Sequence, residues 1–154
     1  MPEQVMDAIT LLKEDHKKVK ELFRKFEGVG ERGLKDKQSI ADQIRNELVV
    51  HTTIEEEIFY PAIQGEVEEM VAEAIEEHNI VDRLLLELRD LGPDDEQFEA
   101  KMTVLIENVE HHAEEEEKEM FPAVKKAMGM DVMKSLGERM TRRKGELTRE
   151  HRAA

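Results

Sequence analysis

The segment HTTIEEEIFYP at residues 51–61 returns as HAEEEEKEMFP at residues 112–122, with histidine, the glutamates four and five residues later, and proline in register. Histidine and glutamate at i and i+4 share one face of an α-helix, a turn apart. Each pair continues an apolar stripe with alternating spacings of three and four. The first stripe reads Ile40, Ile44, Leu48, His51, Glu55, Ile58, Ala62; the second reads Phe98, Met102, Leu105, Val109, His112, Glu116, Met120, Ala123. Such stripes mark amphipathic helices facing a core, so the polar pairs turn inward.

Each of these helices follows another that carries one histidine in its stripe. Ile9, Leu12, His16, Val19, Phe23, Phe26 precedes the first, and Val71, Ala74, His78, Val81, Leu85, Leu88 the second, with identical spacing. Gly28-Val29-Gly30, Gly65 and Gly92-Pro93 punctuate the chain. They predict helices over about 3–27, 34–63, 66–91 and 94–128, then a shorter fifth helix capped by Asp131. Short loops make consecutive helices antiparallel neighbours. The expected fold is all-α: an up-down-up-down four-helix bundle over 1–129 and a short C-terminal helix over 130–154, packed on it or mobile. The repeat implies two helical hairpins about a pseudo-twofold axis.

Composition narrows the function. There is no cysteine, which excludes disulfides, thiolate zinc sites, iron–sulfur clusters and a cysteine nucleophile. The net charge of −14 argues against nucleic-acid or anionic-membrane partners. No apolar run approaches the roughly 18 residues of a membrane span. The N-terminus lacks a signal-peptide pattern, and a cytoplasmic location is expected. Charge is uneven: residues 130–154 carry +3, consistent with a basic helix lying on an acidic bundle.

Four imidazoles and two carboxylates in one layer suit a dinuclear metal centre. Glu55 and Glu116 can each bridge two ions, with His16 and His51 capping from one half and His78 and His112 from the other. Which histidines share an ion stays open. Nitrogen and carboxylate without sulfur favour iron, then manganese or zinc. Six residues leave positions for an oxo or hydroxo bridge, water or an added ligand, so small-molecule chemistry is expected rather than a purely structural metal. A metal-free layer of this kind would carry a heavy desolvation cost.

The succession DH, HxxxE with FYP, EH, HxxxE with FP resembles the hemerythrin-like (HHE cation-binding) family, over residues 8–128. The resemblance implies a non-haem di-iron site on His16, His51, Glu55, His78, His112 and Glu116. Oxygen-carrying members add a fifth histidine one turn before the other on the third helix. Here that place holds Ala74, and its repeat counterpart is Leu12. The resemblance therefore implies an open centre that senses or turns over dioxygen, peroxide or nitric oxide, with iron handling and oxygen carriage as alternatives. His111 is expected on the flank, and Glu56 and Glu117 on the wet face. Tyr60 is expected to pack at the bundle end opposite Met120, and Pro61 and Pro122 to kink their helices.

Overall fold

The computed structural model describes residues 6–30 and 33–153. Among them are five long helices and no strand. Helix α1 is Ala8–Gly28, and α2 covers 34–63; α3 is Glu68–Arg89, α4 covers 96–128, and α5 is Met130–Ala153. Helix α1 packs along α2 and α3 along α4, as the short loops require, giving two antiparallel hairpins. No described helix is long and apolar enough to cross a membrane.

The helix starts follow capping chemistry. The expected start of α1 near Glu3 falls outside the described residues, and the helix begins at Ala8. Asp7 caps it, accepting the Thr10 N–H at 2.9 Å. Asp95 caps α4 in the same way, through the Gln97 N–H at 2.8 Å. Asp131 lies within the first turn of α5 rather than capping it.

The proline kinks take a specific form. Helix α2 passes from α-helix (Leu34–Ile54) through a π-helical turn (Glu55–Phe59) back to α-helix (Tyr60–Ile63). Helix α4 does the same, with π-helical Glu116–Met120 between Glu96–Glu115 and Phe121–Met128. The wider turn takes up the misfit of a proline ring against the preceding carbonyls, and Tyr60 and Phe121 donate their N–H groups to Glu55 and Glu116 instead. Each π turn begins at the glutamate of a His–Glu pair.

Two apolar clusters fill the bundle, one on each side of the histidine layer. One holds Phe23, Phe26, Ile44, Leu85, Phe98 and Leu105. The other holds Leu12, Ile54, Phe59, Ile63, Phe121 and Val124, and it extends into α5 through Met133, Leu136, Met140 and Leu147. Each fully buried side chain of this size contributes about 1.5–3 kcal/mol.

Helix α5 spans 24 residues, slightly longer than α1 and α3 and shorter than α2 and α4, despite two internal glycines. Gly137 is there because a Cβ would stand 2.0 Å from the Met6 carbonyl oxygen and 2.8 Å from Asp7 backbone atoms. Gly145 has only an Arg149 side-chain nitrogen within reach, at 3.7 Å. The two glycines should thus respond oppositely to alanine. In urea unfolding, Gly145→Ala is expected to stabilise by about 0.5–1 kcal/mol, while Gly137→Ala should lose about 1–3 kcal/mol by overpacking. Stabilisation by both would mean that the close contact does not form.

Candidate metal centre

All six side chains picked from the sequence converge between the two apolar clusters, none more than 8% exposed. His16 Nε2 lies 3.1 Å from Glu116 Oε1, and His112 Nε2 lies 3.5 Å from the same oxygen. His51 and His78 Nε2 lie 3.2 and 3.1 Å from Glu55 Oε1. The rings pair by hairpin: His16 with His51 at 5.0 Å between centroids, His78 with His112 at 4.8 Å. Ligand atoms of His16, His51, Glu55 and Glu116 lie within 4.8 Å of one another, as do those of Glu55, His78 and His112. Each group has the composition and spacing to hold an ion, and Glu55 belongs to both.

A carboxylate surrounds each ring from outside. His16 Nδ1 donates to Glu117 (2.7 Å) and His78 Nδ1 to Glu56 (3.1 Å), so the residue after Glu116 or Glu55 serves the lone histidine of the other hairpin. His51 Nδ1 donates to Asp15 (2.9 Å) and His112 Nδ1 to Glu77 (2.7 Å), each within its own hairpin. Ionised carboxylates only accept, so every Nδ1 carries hydrogen and every Nε2 is turned inward. Glu56 and Glu117 are thus not merely wet-face residues. Asp15 and Glu77 were missed; their signal was the acid directly before each lone histidine. His111 is on the flank, as expected, its side chain 65% exposed.

Tyr60 also differs from expectation. Its hydroxyl donates to Glu116 Oε2 at 2.7 Å and lies 3.3 Å from Nε2 of both His78 and His112. Counted from His51 and His112, its counterpart is Phe121 rather than Met120. The structure agrees: Tyr60 packs on His78 at 5.4 Å between ring centroids, and Phe121 stacks on His16 at 6.1 Å. The π turns aim both rings inward, and only one bears a hydroxyl.

Charge within the layer is strongly coupled. Burial opposes a proton on His51, but the Glu55 charge and the Asp15 hydrogen bond outweigh it and raise the pKa to about 10. Burial likewise opposes charge on His112, and Glu116 and Glu77 raise it to about 11. Burial opposes ionisation of Glu116, but the His112 charge and the hydrogen bonds around its carboxylate together outweigh it and hold Glu116 well below the usual carboxylate range. Burial, then the charges of Glu55 and Glu116, push the Tyr60 phenol well above its ordinary value, so it remains a donor.

Two pockets reach the layer from different sides. One presents all four histidines among apolar Val19, Leu48, Val81 and Val109. The other passes Glu73, Glu77, Glu115 and Glu119 to reach His112 and Glu116. Ala74 lines the second, so the missing fifth histidine is open space there.

Residues 7–124 match the hemerythrin HHE cation binding domain. An uncharacterised protein of Mycobacterium tuberculosis, Rv2633c, is 31% identical over 143 residues, covering 90% of this chain and 85% of that protein. A DNA nickase of Nostoc is 28% identical over 130 residues, covering 79% of this chain and 34% of the nickase. The crystal structure of a hemerythrin HHE cation binding domain-containing protein from Mycobacterium kansasii, an Rv2633c homologue, superposes with a TM-score of 0.81 at 29% identity, covering 92% of this chain and 87% of that one. The chain belongs to the hemerythrin HHE cation-binding family.

Proposed function

We propose that this chain is a non-haem di-iron protein that binds or reduces small oxidants: dioxygen, peroxide or nitric oxide. In this reading His16, His51, Glu55, His78, His112 and Glu116 hold two iron ions joined by an oxo or hydroxo bridge. The observation that carries it is Glu55, fully buried, with neither carboxylate oxygen in a directed hydrogen bond among the described residues. His51 Nε2 is likewise unpartnered although it faces that carboxylate. Buried charge left without directed partners costs several kcal/mol, and two cations between these atoms would satisfy both groups.

Bound iron would supply electrons and open coordination positions. The residues around it divide the remaining work. Asp15, Glu77, Glu56 and Glu117 fix the four imidazoles with Nε2 inward. Val19, Leu48, Val81 and Val109 line the approach with apolar surface, which suits a small uncharged oxidant. Tyr60 holds a proton on Oη at one end of the layer, in a hydrogen bond to Glu116, as a proton source within the site. The absence of a fifth histidine at Ala74 speaks for turnover or sensing over carriage. Iron handling is the second reading, favoured by the pocket lined with Glu73, Glu77, Glu115 and Glu119.

Four outcomes test these roles. Protein from iron-replete cells should hold two irons per chain and consume peroxide. Glu55→Ala with Glu116→Ala should lose both metals and at least tenfold in peroxide consumption, a modest demand for a dismantled centre; full metal retention would end the assignment, and unchanged consumption would end the oxidant reading. Tyr60→Phe should keep both irons while slowing peroxide consumption about a hundredfold, the lower end of the range for lost proton donation. Metal loading should also expel protons. With pKa values raised to about 10 and 11, His51 and His112 carry a proton at pH 8 in the metal-free chain. Zinc titration calorimetry in buffers of different ionisation enthalpy should show about two protons released per chain, and affinity should rise with pH. Release of none would contradict the ion-paired layer.

A further inference from the structure

The four outer carboxylates match in pairs, but one pair is in unlike surroundings. Asp15 is 3% exposed and serves two partners, His51 Nδ1 on one oxygen and Lys144 Nζ on the other. Its counterpart Glu77 is partly exposed and holds His112 Nδ1, with His111 Nε2 4.0 Å away. Among the described residues no lysine or arginine pairs with Glu77. The difference comes from α5, which has no counterpart in the repeat and packs on α1 and α2.

We propose that α5 is part of the metal centre: Lys144 is a positioning residue that holds Asp15, and through it His51, so that the His16–His51 end retains its ion more firmly. The inference rests on the reading of six residues holding two ions. The ammonium group gives a buried carboxylate its second partner and fixes it in place. A fixed Asp15 oxygen then fixes the Nδ1–H of His51, and with it the direction of the Nε2 lone pair. Without Lys144, Asp15 is free to turn outward and the ring loses its orientation. Among the described residues no lysine or arginine fixes the outer carboxylate at the far end, where Glu77 already reaches solvent.

The simpler alternative is that Lys144–Asp15 only docks the helix. The neighbouring residue provides the control. Arg143 ties α5 to Glu57 at 2.8 and 3.3 Å and touches none of the four outer carboxylates.

The test is release of zinc from the loaded full chain to a chromogenic chelator, with folding followed by circular dichroism. The wild type should take up two ions and release them in a fast and a slow phase of equal amplitude. Lys144→Met should accelerate the slow phase ten- to a hundredfold, the usual effect of removing such a support, and leave the fast phase within about twofold. Lys144→Gln, which keeps a donor without the charge, should do the same if Lys144→Met does not fold. Lys144→Arg should restore the slow phase, and Arg143→Met should match wild type. An unchanged slow phase, equal acceleration of both phases, or an Arg143→Met effect as large as that of Lys144→Met would overturn the proposal. Uptake of fewer than two ions by the wild type would instead defeat the two-metal reading, and this inference with it.

Discussion

Everything in this bundle is arranged around two buried carboxylates. Glu55 and Glu116 lie at the centre of a helical bundle, 0% and 1% exposed, where a lone charge is among the most costly things a protein can hold. Four imidazoles face them, and four further carboxylates face the imidazoles from outside. Each shell answers the charge of the one within. The two apolar clusters hold this polar layer by packing the helices above and below it, so the bundle owes its stability to hydrocarbon and its distinctness to the layer between.

The twofold repeat explains how so many groups fit together. Each hairpin supplies one lone histidine, one His–Glu pair, and two outer acids. One acid supports a ring of its own hairpin and the other a ring of its partner, so the hairpins interlock through hydrogen bonds as well as apolar contacts. The symmetry is then broken at two points by single groups. Tyr60 stands where the other half has Phe121, and Lys144 reaches Asp15 from a helix outside the repeat. A centre of nearly equivalent ends thereby acquires two chemically different ones.

The helices and the six central residues were legible because periodicity and repetition expose them. Residues on an inward stripe announce themselves, and a pattern kept twice over some 60 residues separates signal from an abundance of glutamate. The outer acids were illegible for the opposite reason. Asp15, Glu56, Glu77 and Glu117 each sit one position beside a central residue, where an acid on a helix of this charge ordinarily faces water. The demand of each Nδ1 for an acceptor overrode that expectation. Tyr60 was misjudged through helix geometry. The π turn brings the residue five positions beyond Glu55 round toward its face, and a reading at 3.6 residues per turn places it elsewhere. Gly137, inside α5, is a point of backbone contact that the sequence alone does not mark.

That contact has a consequence for biosynthesis. Gly137 lies directly against the backbone of Met6 and Asp7, and α5 covers apolar side chains at the start of α1. The earliest described part of the chain therefore waits for the latest to be covered. While the ribosome is still making the last helix, Leu11, Leu12 and their neighbours lack part of their cover, and Asp15 lacks its lysine. A nascent chain can form both hairpins, but this face is covered only once residues 130–153 have emerged.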